Sequence, residues 1–330
     1  MPYRVLITDH AWPSVEIERG VLAAVGAVPL VAERGDEVEL AALAPAADAI
    51  LTNWKRVTPA VLDAAPRCRI VSRYGVGLDN IAVDHATSLG VLVTNVPDFC
   101  LEEVSDHAIA LLLACARRVA QFGRATRGGV WDVKAGRPLP RLRGQTLGLI
   151  GYGNIARALL PKALGFGLRV LAYTPRLAPG ALAPSVTATN DLDQLLRESD
   201  YISIHVPLTP ATRCMIDERA LRLMKPTAYL INTARGAVID EAALERALRE
   251  HWIAGAALDV LSQEPPPADH PLLALDNAIV TPHAAFYSEA AIEDVQQRAA
   301  EHVVQVLRGE LPSNLVNSAV LEQPNCRLLH

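Results

Sequence analysis

TLGLIGYGNIA (146–156) decides the fold. Thr146–Ile150 is an apolar run of strand length, Gly151-Tyr152-Gly153-Asn154-Ile155-Ala156 follows as GxGxxA, and apolar positions then recur at helical spacing. The first glycine permits a tight turn, the second lets backbone approach a pyrophosphate, and the small third residue lets helix pack on strand. The helix start would offer unpaired N–H groups to phosphates. A second apolar run, 169–173, ends just before Thr174. Strand, glycine turn, helix and second strand together predict a nucleotide-binding unit.

Outward from this unit, strand-length runs alternate with helical segments. The first series of runs is 3–8, 49–52, 69–72 and 91–94; the second is 146–150, 169–173, 201–205, 228–232, 256–260 and 278–281. Helical patterns fall at 14–26, 81–89, 154–164, 192–198 and 241–250. Such alternation predicts the α/β class, with doubly wound parallel sheets covered on both faces. The two series share no obvious similarity, so two sheets are expected rather than a repeat. Between them, 101–122 reads as one long helix whose Glu102, Glu103 and Asp106 suit the positive end of its dipole. The stretch 128–144, rich in Gly, Pro and Arg, reads as a surface connection. Helix 289–307 follows the second series and could return the chain to the first sheet. Pro161, inside the 154–164 pattern, should bend that helix.

Composition agrees with this layout. The 330 residues exceed the roughly 250–300 at which single cores stop growing, so two domains are expected. With 51% apolar and 20% charged residues, the chain has material for burial and no case for disorder. Against 31 basic residues stand 36 acidic ones, a net charge of −5, and no Lys/Arg run exceeds two. Nucleic acid and anionic membrane surfaces are therefore not expected partners. No stretch approaches 18 apolar residues, and MPYRVLITDH lacks a signal-peptide layout. Five cysteines form no CxxC pair, which argues against a disulfide framework or a metal site and for a reducing cytoplasm.

Three ionisable residues follow consecutive strand runs, where α/β sheets place their chemistry: Arg235, Glu264 and His283. Singly they read as a surface cation, a loop carboxylate and a capping or core histidine. Jointly they are coherent. A histidine exchanges a proton near neutral pH, and a neighbouring carboxylate fixes its tautomer. An arginine fork suits a carboxylate or polarises a carbonyl. A nicotinamide would supply the hydride that no side chain can. A further glycine segment, Arg73-Tyr74-Gly75-Val76-Gly77-Leu78-Asp79-Asn80, is either a plain loop or a backbone cradle for a carboxylate.

Over essentially its whole length the chain resembles the D-isomer-specific 2-hydroxyacid dehydrogenase family. The matching segments are RYGVGLDNIA (73–82), LGLIGYGNIA (147–156), HVPLTPAT (205–212), LINTARGAVIDEAAL (230–244), GAALDV with EP (255–265) and TPHAA (281–285). The resemblance implies a Rossmann-type nucleotide domain, 101–288, inserted into a flavodoxin-like substrate domain, 1–100 and 289–330. It implies Arg235, Glu264 and His283 as the catalytic set and a homodimer using the helix after residue 100. Gly75, Val76 and Gly77 would hold the substrate carboxylate. Phe286, in TPHAAFYSE, reads either as lining the substrate side, where it would favour an apolar or aromatic tail, or as packing between domains. The cofactor would contact Gly151, Gly153, Asn154, Ile155, Thr174, Arg176, His205, Pro207, Thr212, Thr233, Ala234, Asp259, His283 and Ala285. The implied reaction is reversible reduction of a 2-oxo acid.

Three departures stand out: Ala156 for the third glycine, Leu101 where many relatives carry Ser or Thr, and Thr174 for the usual aspartate. Without that acid, and with Arg176 two residues on, NADP is expected over NAD. TPHAAFYSE (281–289) and LPSNLVN (311–317) look closest to the branch holding the C-terminal-binding-protein corepressors, so a dinucleotide-sensing scaffold is the rival function. A specialised member acting on a phosphonate or phosphite is a second rival.

Overall fold

Pairing between neighbouring strands is parallel throughout the computed structural model, which describes residues 2–136, 138–175 and 183–328. The first elements are β1 Arg4–Ile7, α1 Glu16–Leu22, β2 Val28–Val31, α2 Glu37–Leu43, β3 Ala49–Thr52, α3 Pro59–Asp63, β4 Ile70–Arg73, α4 Val83–Ser88 and β5 Leu92–Thr94. Then come α5 Leu101–Ala116, α6 Val119–Arg127, β6 Thr146–Ile150, α7 Asn154–Gly165, β7 Arg169–Tyr173, β8 Val186–Thr189, α8 Leu192–Glu198 and β9 Tyr201–Ile204. The last are α9 Glu218–Leu223, β10 Tyr229–Asn232, α10 Glu241–Arg249, β11 Gly255–Leu258, β12 Ala278–Val280 and α11 Glu289–Leu307. Two compact units result: Met1–Cys100 with Ser288–His330, and Leu101–Tyr287.

The first unit carries a five-stranded sheet in the order β2-β1-β3-β4-β5, the doubly wound order of flavodoxin type. One side of its core joins Leu6, Ile50, Val71 and Val93 from four strands to Leu40, Leu62 and Ala86 from the covering helices. The helix α11 packs on α1 and β4, and Ser72 donates its hydroxyl to the Ala299 carbonyl at 2.9 Å. Beyond it the chain runs along β5, where Val316 N–H bonds Val93 O at 2.9 Å.

The second unit carries seven strands in the order β12-β11-β10-β9-β6-β7-β8. This is the Rossmann order with one strand added, and the direction of winding reverses at β6. Ligands in such sheets bind beyond the carboxyl ends of the strands, beside that switch point. All the strands read from the sequence are present, their ends shifted by at most two residues.

Two features differ from the sequence reading. The helix expected over 101–122 breaks: α5 ends at Ala116, and α6 begins after Arg118, whose left-handed φ of 51° no α-helix accommodates. Two edge strands, β2 and β8, were not expected. One of them holds Pro29, tolerated because an edge strand has an unpaired side. As read from the sequence, Pro161 falls inside α7.

Candidate active site

The glycine turn begins where β6 ends. Gly151 has φ +93°, and a Cβ there would lie 2.8 Å from the His205 carbonyl oxygen, so only glycine fits. His205 in turn donates its N–H to Ile150 O at 2.8 Å, locking its loop against the turn. Gly153 caps α7 with no side-chain bond, and a Cβ there would meet nothing within 4 Å. Asn154 is exposed, Ile155 half-buried and Ala156 fully buried, so the small third residue does pack. The open turn and its uncapped helix suit a pyrophosphate. Thr233 adds a second sign: its buried hydroxyl has no partner among the described residues. An unpaired buried hydroxyl is costly unless a ligand completes it. These residues fit a dinucleotide.

Thr174, half-buried at the end of β7, donates its N–H to Thr189 O at 3.2 Å. Arg176 lies outside the described residues. In the loop after β9, the Thr212 hydroxyl donates to Pro207 O at 2.6 Å and accepts from Thr209 N–H at 2.8 Å. His205 shares a 2.9 Å hydrogen bond with Ser203 Oγ, and burial pushes its pKa down to about 4. It is neutral at pH 7.

Arg235 is placed by a residue that sequence reasoning missed. Asn232, fully buried at the end of β10, accepts from Ala234 N–H and donates to Arg235 O, both at 3.0 Å. Next to it, a Cβ on Gly236 would fall 2.0 Å from the Leu261 carbonyl carbon. The missing side chain lets the Arg235 turn abut the segment that leads to Glu264. That carboxylate accepts Leu261 N–H at 2.9 Å through Oε1 and meets His283 Nδ1 at 2.5 Å through Oε2. With Nδ1 engaged, Nε2 is the nitrogen left for a substrate. Phe286 presents its ring edge-on to the imidazole, 6.1 Å between centroids.

The turn carrying His283 is strained and heavily bonded. His283 sits at φ +52°, where a residue with a side chain costs roughly 1–2 kcal/mol. Three successive N–H groups converge on one residue: His283 on Asp259 O at 2.8 Å, Ala284 on Oδ1 at 2.9 Å and Ala285 on Oδ2 at 2.8 Å. Thr281 adds its hydroxyl to Oδ1 at 2.5 Å, and His107 Nε2 on α5 lies 3.0 Å from that hydroxyl. Burial of the Asp259 carboxyl opposes ionisation. The bonds from His107, Thr281, Ala285 and Ala284 outweigh it and hold the group below the usual carboxylate range. Thr281 and Asn232 lie inside the matching segments TPHAA and LINTARGAVIDEAAL without an assigned role there, and His107 carries no signal in the sequence.

In the other unit, the Gly75–Gly77 turn follows β4 with Gly75 at φ +143°. Its carbonyls are tied down: Gly75 O accepts Val96 N–H at 3.0 Å, and Val76 O accepts the Asn95 amide at 2.6 Å. Val76 itself is exposed. Among the described residues, no group of three or more His, Cys, Asp or Glu could hold a metal, and no helix is long and apolar enough to cross a membrane.

Residues 109–285 match the family model described as D-isomer specific 2-hydroxyacid dehydrogenase, NAD binding domain. The chain is 46% identical to a glyoxylate reductase of Korarchaeum cryptofilum over 266 residues, 79% of this chain and 80% of the relative. Among solved structures, an NADPH-dependent glyoxylate/hydroxypyruvate reductase from Sinorhizobium meliloti, in complex with NADP and malonate, superposes with TM-score 0.83 at 29% identity, covering 97% of this chain and 98% of that one. A D-lactate dehydrogenase from Aquifex aeolicus, complexed with NAD and lactic acid, gives 0.85 at 29% identity over 95% and 98%. The chain therefore belongs to the D-isomer specific 2-hydroxyacid dehydrogenase family, oxidoreductases that move hydride between a nicotinamide cofactor and a 2-oxo or 2-hydroxy acid.

Proposed function

We propose that this chain is an NADPH-preferring reductase of small 2-oxo acids, glyoxylate and hydroxypyruvate among them, with His283 as proton donor. The 2.5 Å pair of Glu264 and His283 carries the reading, because it fixes which ring nitrogen faces substrate. A nicotinamide, when bound, would supply the hydride that reduction of the C2 carbonyl needs. His283 delivers its Nε2 proton to the C2 oxygen as negative charge develops there, and Glu264 stabilises the imidazolium through Nδ1 until that transfer. Arg235 orients the oxo acid with its planar donor fork. The N–H groups of Val76 and Gly77 hold the substrate carboxylate, helped by the tying down of their turn. Phe286 forms an apolar wall beside the imidazole, which would accommodate a bulkier tail as in phenylpyruvate.

The cofactor would lie on Gly151, Gly153, Asn154 and Ile155, with Thr233 and Ala234 towards the nicotinamide and His205, Pro207 and Thr212 along the adjoining loop. NADPH is favoured because Thr174 supplies no charge to repel a 2′-phosphate, and the Sinorhizobium relative is NADPH-dependent. Arg176 would pair with that phosphate, worth about 5- to 150-fold in preference. The relatives above are reductases and dehydrogenases, and no observation favours a corepressor scaffold or a phosphonate substrate.

A homodimer is proposed from the apolar side chains around α6. Trp131 is 89% exposed and Val133 77%, with Val119 and Val130 also exposed, a surface suited to a second copy. A light-scattering mass of one chain would overturn this. A reducing, cytoplasmic setting suits a chain whose five cysteines are all free thiols. The deciding experiment is kcat/KM on glyoxylate, hydroxypyruvate and phenylpyruvate with NADPH and NADH, repeated in Arg176→Ala. No turnover on any of the three defeats the substrate reading. NADH preference in the parent, or an unmoved ratio in the variant, defeats the cofactor reading.

A further inference from the structure

We infer that His107 and Thr281 are positioning residues for the proton-transfer step, joining α5 to the strained turn that carries His283. Asp259 is surrounded by donors: the Ala284 and Ala285 N–H groups and the Thr281 hydroxyl. An ionised carboxylate only accepts, so the single hydroxyl proton of Thr281 points at Asp259. Thr281 Oγ must then accept from His107, and the 3.0 Å contact is made by Nε2. The imidazole of His107 therefore carries its proton on Nε2, and the bonds run in one direction from His107 through Thr281 to Asp259.

This chain of bonds has a use because His283 does not hold its conformation unaided. Its φ of +52° is disfavoured for a residue with a side chain, and consecutive N–H groups in such a turn form a concavity that wants an anion. The anion here is internal. Asp259 supplies its carbonyl and both carboxylate oxygens to residues 283, 284 and 285. The rotation of that carboxylate sets where the turn sits. Oδ1 takes two bonds, one from Ala284 and one from Thr281, so the threonine decides how the carboxylate is rotated. Thr281 is itself oriented by His107, which also lies 3.4 Å from Oδ1. Since α5 packs on β10 and β11, the fixed point of the network is the body of the sheet rather than the loop. Neither His107 nor Thr281 need touch substrate. Their effect is on where the His283 imidazole stands, and misplacement of a reacting group is felt in turnover before binding.

The inference rests on the reading of His283 as proton donor, and the test separates the two. His107→Leu and Thr281→Val should each lower kcat roughly 10-fold while leaving KM for cofactor and oxo acid within about 2-fold. His107→Gln, whose amide N–H can replace Nε2–H, should restore most of the loss. The His107→Leu/Thr281→Val double variant should be no worse than either single variant, as expected of two links in one chain. Independently of turnover, NMR of the cofactor-free protein should find His107 protonated at Nε2. A neutral Nδ1–H tautomer overturns the inference, as do additive effects in the double variant. Should His107→Leu fail to fold, the near-isosteric Thr281→Val carries the kinetic test alone. Turnover intact in His283→Ala would overturn the reading of the site; turnover lost there but unchanged in His107→Leu and Thr281→Val would overturn only the inference.

Discussion

Two turns of the same seven-stranded sheet use backbone N–H groups in opposite ways. At 151–154, after β6, the chain leaves its helix start uncapped and its approach open. At 283–285, after β12, three successive N–H groups are saturated by Asp259. Both turns are built to meet negative charge. The first leaves the anion to a ligand; the second takes it from its own chain. An open turn binds, because the energy of completing its donors becomes available only when a ligand arrives. A saturated turn places, because its donors are satisfied before any ligand comes and the histidine among them cannot drift. On the proposed roles, open donors serve binding and satisfied donors serve placement.

The sharpest way to break this contrast is to neutralise the internal anion. Asp259→Asn removes the charge and turns one acceptor into a donor facing an N–H group. Unfolding by denaturant should show a loss of roughly 1–3 kcal/mol, the cost of leaving a buried donor unsatisfied. Turnover should fall roughly 10²-fold as the His283 turn relaxes. Parent-like stability and turnover would mean that something other than Asp259 holds the turn.

The open turn should respond in a different quantity. A Cβ at Gly153 meets no atom within 4 Å, and an acid at a helix start is favourable, so Gly153→Glu should fold at least as stably as the parent. Cofactor binding should weaken roughly 10-fold, since the new charge stands where phosphates are received. Titration by cofactor fluorescence reads this directly. Undiminished affinity would remove the turn from the pyrophosphate site.

A smaller effect concerns the histidine that backs the open turn. His205 has its pKa lowered to about 4 by burial, against an ordinary value of 6.5. Between those values the unfolded chain binds a proton that the folded one refuses, so this contribution is full above pH 6.5 and declines as pH falls towards 4. His302, on α11 of the other unit, is likewise lowered to about 4, first by its burial and then by the nearby Arg298 charge. Unfolding measured across pH 4–7 should therefore show a shallower decline in His205→Gln than in the parent. An identical decline would show that His205 titrates alike folded and unfolded.

Much of this was legible in the sequence. Buried parallel strands are apolar on both faces, so β6, β9 and β10 stand out as continuous runs. GxGxxA declares its turn because no other residue tolerates Gly151's φ and the close approach of His205. Arg235, Glu264 and His283 were visible because strand ends are where such sheets carry chemistry. The sequence thus determined the class, the glycine turn and the ionisable residues. Tertiary structure alone decided the edges and the supports. In β8, the sequence VTAT with its middle residues exposed breaks the continuous apolar signal, and in β2 Pro29 argues locally against a strand. The break at Arg118 has no glycine or proline to announce it. Asn232 looks like any polar strand end until its amide closes on Ala234 and Arg235. His107 stands 174 residues from Thr281, and no local pattern links positions that far apart. Propensity and periodicity report what a residue does to its neighbours in sequence, whereas a hydrogen bond between an early helix and a late turn exists only once the sheet has brought them together.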